Sequence, residues 1–235
     1  MRLQGKIAII SGGNRGLGLH LVKAFLKEGA KVAICARSLE ALRVLDEVLI
    51  DYKDSFFYAA CDITIPLQVS NLIKKVVLEY GCVNVLINNA AKFGDSCKIH
   101  ECAVNSFNSV IETNLLGANN MVRSVLPHML EQKSGKIIHI TDSSLPMNEK
   151  SYKSAYYISK AGIETFSNLL SAQYLDDHID CNIVDPSNLT QDVSFDEQKS
   201  LTKATELFIW LASIESNGLT GKNIKACEWL SKQEN

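Results

Sequence analysis

Tyr156 and Lys160 are the residues whose types and spacing point most directly to proton transfer. They are four positions apart in a segment of helical period, so their side chains project from one helix face. A tyrosine hydroxyl has a pKa of about 10, but a nearby ammonium group favours its ionised form. At about 4 Å and an effective dielectric of about 20, this attraction is about 4 kcal/mol, or about three pKa units. The pair is therefore a candidate general acid, with a solvated surface pair as the alternative.

A second chemical signal is the stretch Ser11-Gly12-Gly13-Asn14-Arg15-Gly16-Leu17-Gly18, which follows a predicted strand and opens a predicted helix. Glycines allow a tight turn and a close approach of the backbone to a pyrophosphate, whose charge favours a helix N-terminus. In this position the stretch predicts dinucleotide binding. A tight turn that only packs against its sheet is the alternative.

The end of the second predicted strand indicates which dinucleotide to expect. Dinucleotide-binding folds that have such a glycine turn and bind NAD place an acidic residue there for the ribose 2′-hydroxyl. An arginine at this place instead accommodates the 2′-phosphate of NADP. The sequence at this point is Cys35-Ala36-Arg37-Ser38, without an acid. Arg37, together with Arg15 of the glycine turn, therefore predicts NADP (NADPH) as the cofactor. Two ordinary surface arginines are the alternative.

These residues can meet only on a scaffold of strands and helices. Short apolar runs alternate with segments of helical period, which is typical of βαβ units around a parallel sheet. The predicted strands are 6–10, 32–36, 56–60, 83–87, 136–141, 180–184 and 223–227, and the predicted helices are 16–28, 39–52, 66–80, 106–133, 155–175 and 201–214. We predict an α/β fold: a single domain over residues 1–235 with a Rossmann-type doubly wound parallel sheet of about seven strands and helices on both faces.

Composition and charge exclude several classes of partner. The formal net charge of −2 argues against nucleic acid or an anionic membrane surface, which require clustered positive charge. The first apolar run is too short for a secretory signal or a membrane span, so we expect a cytoplasmic protein. The seven cysteines and five histidines show no metal-ligand spacing, so no metal is expected, and the cysteines predict no disulfide framework.

Further motifs follow in order along the chain: Asp62, Asn88-Asn89-Ala90-Ala91, Asn114, Tyr156 to Lys160, Asp185-Pro186-Ser187 and Leu219-Thr220-Gly221. Together with the Gly-x-x-x-Gly-x-Gly spacing, this series resembles the short-chain dehydrogenase/reductase family. The similarity is to NADP-preferring members such as 3-oxoacyl-carrier-protein reductases and related ketoreductases. Ala91 and Ser187 depart from the pattern, because the family's usual residue at each place is glycine.

The resemblance implies an NADPH-dependent carbonyl (ketone) reductase that also acts as an alcohol dehydrogenase. Tyr156 would donate a proton to the substrate carbonyl oxygen, while Lys160 would lower the pKa of Tyr156 and bind the nicotinamide ribose. Asn114 would hold a water molecule in a proton relay, unless it is only a core or surface asparagine. The implied cofactor-binding residues are Ser11, Gly12, Asn14, Arg15, Gly16, Leu17, Gly18, Arg37, Ser38, Asp62, Ile63, Asn89, Ala90, Ala91, Asn114, Tyr156, Lys160, Pro186, Ser187, Leu189 and Thr190.

The serine that completes this catalytic set is ambiguous. Counting forward from Gly135 places Asp142 at the family's serine position, whereas counting back from Tyr156 places Ser143 there. A carboxylate only accepts hydrogen bonds, and its charge would oppose ionisation of Tyr156. We therefore assign Ser143 to the catalytic set, with Ser144 as its substitute, and expect Asp142 to cap the turn.

The departures from the family pattern favour an alternative function, an NADP(H)-binding protein with lost or weak catalysis that acts as a regulatory or interaction module. The segment of about 187–200 is short for the lid that family members close over their substrate. We therefore expect an open cleft for a small-molecule or carrier-presented carbonyl substrate. By resemblance, the two long helices predict a homodimer or homotetramer.

Overall fold

The computed structural model describes residues 1–142, 152–186 and 197–233, and it describes the side chains of all of these except 197–203 and 233. Within these ranges no helix is both long enough and apolar enough to cross a membrane.

The described residues form the strands β1 Ile7–Ser11, β2 Lys31–Ala36, β3 Phe56–Ala60, β4 Val85–Asn88, β5 Gly135–Ile140, β6 Ile179–Asp185 and β7 Asn223–Lys225. These seven parallel strands form one sheet in the order β3-β2-β1-β4-β5-β6-β7. The strand order reverses between β1 and β4, which opens a crevice at the carboxyl ends of these two strands. The predicted Rossmann-type α/β fold is confirmed.

Helices cover both faces of the sheet and enclose two apolar clusters. The helices are α1 Gly16–Lys27, α2 Leu39–Val48, α3 Pro66–Tyr80, α4 Val104–Ile111, α5 Ala118–Gln132, α6 Ser154–Gln173, α7 Glu197–Ala212 and α8 Ala226–Gln233. One cluster lies under α1, α2 and α7, and the other lies under α3, α5 and α6. Because both faces are covered, β1, β4 and β6 are buried along their whole length, as expected of a parallel sheet.

The helix predicted over 106–133 contains a π-helical turn, Glu112–Gly117, between α4 and α5. Gly117 lies where an added Cβ would come within 2.7 Å of the Ile63 side chain, so the helix packs closely on the loop after β3. Isolated π turns occur often at functional sites, and this one contains Asn114.

Most other boundaries agree with the predictions within two residues, and notable differences occur at three places. The strand predicted over 223–227 ends at Lys225, because α8 begins at Ala226 and packs Trp229 against Trp210 with ring centroids 5.7 Å apart. The helix predicted over 39–52 ends at Val48 and is followed by the 3₁₀ turn Ile50–Tyr52. Residues 197–200 of the predicted lid form the first turn of α7, while the rest of that segment lies outside the described residues.

The loop between β4 and α4 contains a disulfide between Cys97 and Cys102. The cysteine spacing predicts no disulfide framework and therefore misses this pair. The backbone N–H of Cys97 also donates to the carbonyl oxygen of Tyr152 at 2.8 Å. The loop is therefore attached to the segment that leads into α6.

Asp180, near the start of β6, connects this strand to β5 and to the turn that precedes β7. Its Oδ2 atom accepts hydrogen bonds from Lys136 Nζ at 2.6 Å and from the backbone N–H of Gly218 at 3.1 Å. Lys136 Nζ also donates to Ser216 Oγ at 3.3 Å. Only 12% of the Lys136 side chain and 10% of the Asp180 side chain are exposed, so β5 and β6 are joined by a buried ion pair.

Replacing Asp180 with alanine should lower the free energy of unfolding by about 3–5 kcal/mol, because a buried ammonium group loses its carboxylate. Urea denaturation measures this loss. The control is Glu228→Ala, which removes an exposed ion pair with Lys225 and should change the free energy by less than about 1 kcal/mol. Equal losses in the two variants would contradict this account.

Candidate active site

The glycine turn lies at the carboxyl end of β1, beside the crevice where the strand order reverses. Gly12 has φ +66°, and a Cβ added to it would lie 3.0 Å from Ala90 Cα. A Cβ on the buried Gly18 would overlap the Gly12 carbonyl oxygen and lie 2.5 Å from Asn89 Nδ2. The turn is thus packed against the loop after β4, and these two glycines are required by that packing.

Ser11 and Asn89 hold the ends of β1 and β4 together. Ser11 Oγ donates to the Ile87 carbonyl oxygen at 3.3 Å and accepts from the backbone N–H groups of Asn89 and Ala90, each at 3.1 Å. Asn89 Nδ2 donates to the carbonyl oxygens of Ser11 at 2.9 Å and Gly12 at 3.0 Å. Both side chains therefore shape the backbone of the turn, which sequence motifs alone do not reveal.

The N-terminus of α1 opens from this turn. Arg15, the N-cap residue, has an extended backbone and, within the part of the chain that the structure describes, makes no side-chain hydrogen bond to the first helical turn. Gly16 has φ +52°, and an added Cβ there would meet nothing within 4 Å. Donor N–H groups at an uncapped helix N-terminus favour an anion, and the exposed Arg15 adds positive charge.

Four predicted cofactor residues follow β2 and β3. Arg37 is exposed, while Ser38 caps α2 by accepting a hydrogen bond from the Ala41 N–H at 3.2 Å. Asp62 Oδ1 accepts from the N–H of Thr64 at 3.0 Å and from its hydroxyl at 2.8 Å, and Ile63 is buried. The side chains of Ser38 and Asp62 therefore each have a local structural role, and their contact with a cofactor stays a prediction.

Tyr156 and Lys160 project from α6 toward the carboxyl end of β5, and each is 6% exposed. Lys160 Nζ donates to the Ile140 carbonyl oxygen at 2.7 Å and lies 5.5 Å from the centroid of the Tyr156 ring. Burial lowers the pKa of Lys160 to about 8, although the charges of Asp142 and Asp185 act in the opposite direction. The two side chains that the sequence pairs are thus neighbours in a buried site.

Asp142, the residue after Thr141 at the end of β5, also reaches this site. The Tyr156 hydroxyl donates to Asp142 Oδ2 at 3.3 Å. Burial raises the pKa of Tyr156 above its usual value, and the charge and hydrogen bond of Asp142 raise it further. The net shift of this pKa is therefore upward, and Asp142, which is expected from the sequence to cap its turn, contacts Tyr156.

Asn114 lies in the π turn and is 4% exposed. Its side chain accepts from the backbone N–H of Lys92 at 2.7 Å and donates to the Lys92 carbonyl oxygen and to Ser159 Oγ, each at 2.9 Å. Ser159 Oγ in turn donates to the Tyr156 carbonyl oxygen at 2.6 Å. Asn114 therefore links the loop after β4 to the helix of Tyr156, and Ser159 is a member of this network that sequence reasoning missed.

Phe93 is another side chain that the motifs do not indicate. Its ring centroid lies 4.9 Å from that of Tyr156, and it is 58% exposed. Lys153 Nζ lies 5.3 Å from the centroid of the Phe93 ring. The only signal in the sequence is its place shortly after the motif that follows β4.

The wall beneath the site contains a buried pair, Asn88 and His139. Asn88 Nδ2 lies 3.3 Å from His139 Nδ1, and no described residue partners Asn88 Oδ1 or His139 Nε2. Burial and the positive charge of Lys160 lower the pKa of His139 to about 3. His139 is therefore neutral at physiological pH and contributes no positive charge here.

Several predicted site residues lie outside the described residues: Ser143, Ser144, Ser187, Leu189 and Thr190. The buried Pro186 is the last described residue before 187–196. Asn14 and Leu17 are partly buried in the glycine turn, and Ala91 is exposed after β4.

A model of the family described as short chain dehydrogenase matches residues 6–200. The fatty acyl-CoA reductase of Acinetobacter baylyi is 32% identical over 177 residues, which cover 74% of this chain but 59% of that protein. The 3-oxoacyl-acyl-carrier-protein reductase of Chlamydia muridarum is 32% identical over 193 residues, covering 82% of this chain and 77% of the relative.

Solved structures share the fold. A xylitol dehydrogenase with bound NAD⁺ superimposes with a TM-score of 0.85 at 18% identity and covers 96% of this chain and 98% of its own. Other structures that match similarly well contain NADP. At these identities the likeness shows the shared fold.

Replacing Gly18 with alanine should weaken NADPH binding by at least about tenfold, because the new methyl group would push the glycine turn away from Asn89. Fluorescence titration measures this affinity. The control Gly81→Ala introduces strain at φ +84° without a new contact, so it should reduce stability and leave the affinity unchanged. An unchanged affinity in Gly18→Ala would mean that the turn does not hold the dinucleotide.

Proposed function

Since the chain belongs to the short-chain dehydrogenase family, whose model matches most of its length, we propose that it is an NADPH-dependent carbonyl reductase that also acts in reverse as an alcohol dehydrogenase. The observation that carries the proposal is the convergence of the glycine turn, Asn114, Tyr156 and Lys160 at one edge of the sheet. Relatives that are reductases of acyl substrates support a carbonyl as the reacting group.

The residues at the carboxyl ends of β1 and β4 fit a dinucleotide. Gly12 and Gly18 form a cradle that a Cβ would fill, and the N-terminus of α1 opens beside it. These features suit a pyrophosphate. When bound, the reduced nicotinamide supplies a hydride to the substrate.

The proton is the contribution of the protein. Tyr156 carries this proton on its Oη atom. It donates the proton to the substrate carbonyl oxygen as the carbonyl carbon is reduced. Lys160 offers the positive charge that stabilises the phenolate left behind, and its place is fixed by the hydrogen bond to Ile140. Asn114 positions the start of the loop after β4 against α6.

We propose NADPH over NADH because of the residues after β2. Arg37 is exposed where a 2′-phosphate is expected, the strand end Cys35-Ala36-Arg37-Ser38 contains no acidic residue, and Arg15 adds a second cation at the glycine turn. The NAD⁺-bound xylitol dehydrogenase shows that the fold does not decide this point. The preference therefore rests on these two arginines.

One observation favours a second candidate function, an NADP(H)-binding protein with little turnover. Asp142 accepts the hydrogen bond of the Tyr156 hydroxyl, and both it and burial oppose loss of that proton. Both candidates bind NADPH. A panel of 3-oxoacyl thioesters and simple ketones distinguishes them, because oxidation of NADPH that depends on the added ketone is expected only of the reductase.

We expect NADPH to bind at least about tenfold more tightly than NADH, since about 1.4 kcal/mol is a modest gain for two arginine–phosphate contacts. Arg37→Ala should remove most of this preference while leaving the affinity for NADH unchanged. Calorimetric titration of both dinucleotides measures it, with Arg43→Ala, on the neighbouring helix α2, as the control. The proposal fails if Arg37→Ala retains the preference of the wild-type protein.

Replacing Tyr156 with phenylalanine should lower kcat by at least about 100-fold and leave NADPH affinity nearly unchanged, because only the proton donor is lost. Steady-state kinetics and NADPH titration separate these effects. Tyr157→Phe is the matched control, since Tyr157 is adjacent on the same helix with its ring centroid 5.5 Å from that of Tyr156. Similar losses in the two variants would show that Tyr156 is not the acid.

A further inference from the structure

Asp142 gives the site an acceptor at one of the two positions that the family pattern offers for a hydroxyl donor; the other position, Ser143, lies outside the described residues. Asp142 is the second residue after the end of β5, and its Oδ2 atom is 3.3 Å from Tyr156 Oη. A serine hydroxyl can donate to a substrate carbonyl oxygen, whereas a carboxylate cannot. A simple ketone at Tyr156 would therefore have beside this donor a negative charge that repels its oxygen as charge develops there.

The surrounding charges do not cancel this effect. From α6, Lys160 and Tyr157 lie near Tyr156, and Asp185 at the end of β6 adds a second carboxyl group. His139 of β5 is buried and neutral, and Lys153 lies over Phe93 in the adjoining loop. Glu164 of α6 is occupied by a hydrogen bond from Thr141 Oγ1 at 2.7 Å. Of the described residues, Lys160 thus contributes a positive charge to this site, whereas Asp142 and Asp185 contribute negative charges.

We propose that Asp142 selects substrates that carry a hydrogen-bond donor, a hydroxyl or ammonium group, on the carbon next to the reacting carbonyl. This inference rests on the proposed reductase function and names its substrate class. The carbonyl and hydroxyl oxygens of such a compound lie on adjacent carbons at a separation similar to that between Tyr156 Oη and Asp142 Oδ2. The substrate can therefore meet both groups at once.

The substrate donor changes what Tyr156 can do. Its hydrogen bond to the Asp142 carboxylate replaces the one from Tyr156, so the phenol can turn its O–H to the carbonyl oxygen. The hydride of the reduced nicotinamide forms the new C–H bond, the Tyr156 proton forms the new O–H bond, and the tyrosinate regains a proton from solvent. The carbonyl compound becomes an alcohol and the dinucleotide is oxidised, so atoms and electrons balance.

Three ketones of related structure test the selection: butan-2-one, 3-hydroxybutan-2-one and 3-methoxybutan-2-one. The hydroxyl compound should have a kcat/KM at least about tenfold above that of the methoxy compound, which has an acceptor in place of the donor. Asp142→Ser should reduce this ratio to about threefold or less and raise kcat for butan-2-one. Asp51→Ser, a change of an exposed acid on the 3₁₀ turn after α2, should leave the ratio unchanged.

Equal kcat/KM values for the hydroxyl and methoxy compounds in the wild-type protein overturn the proposal. Retention of the wild-type preference by Asp142→Ser does so as well. If the protein oxidises NADPH with none of the three ketones, the proposed reductase function is overturned instead. A measurement that needs no turnover then tests the effect of Asp142 on Tyr156.

That measurement is an alkaline titration of tyrosinate absorbance, taken as the difference from Tyr156→Phe. The Tyr156 signal should appear at lower pH in Asp142→Asn than in wild type, because the amide is neutral and no longer opposes the phenolate. In wild type, 3-hydroxybutan-2-one should also move the signal to lower pH, and the methoxy compound should not. An identical signal in wild type and Asp142→Asn overturns the role of Asp142.

Discussion

The buried ammonium group of Lys160 sets the electrostatics of the whole carboxyl edge of the sheet. A charge in this position needs hydrogen bonds and opposite charges near it, because desolvation is expensive. The Ile140 carbonyl oxygen supplies the hydrogen bond, and Asp142 and Asp185 supply the charges. Burial, together with this cation, lowers the pKa of His139 and keeps it neutral. Strand ends that are distant in sequence are thus coupled through one side chain of α6.

Tyr156 lies within this field and receives opposing influences. Burial and the carboxylate of Asp142 hold the proton on its hydroxyl, whereas the adjacent ammonium group favours its release. A proton donor held this way becomes stronger when a ligand takes over its hydrogen bond to the carboxylate. The acidity of the site therefore depends on what occupies it, and a substrate contributes to catalysis through its own hydrogen bonds as well as its reacting carbonyl.

The sequence predicts the elements well where local chemistry marks their ends. The helix 66–80 is confirmed at both ends because Pro66 occupies its first turn and Gly81 ends it with φ +84°. The contact between Asp142 and Tyr156 could not be predicted, since it joins residues 14 positions apart through a loop without periodicity. The hydrogen bonds of Asn114 to Lys92 and Ser159 escaped prediction for the same reason.

The two halves of the site differ in how they are stabilised. Around the glycine turn, the buried hydroxyl of Ser11 and the Asn89 amide bind backbone groups, so that half is shaped before any ligand arrives. Around Tyr156, the balance depends on charges that a ligand can shift. The proposed dinucleotide binding and the proposed proton donation therefore rest on separate contacts. A change at Asp142 can alter turnover without disturbing the turn, which explains how members of one fold can keep a cofactor cradle while their chemistry diverges.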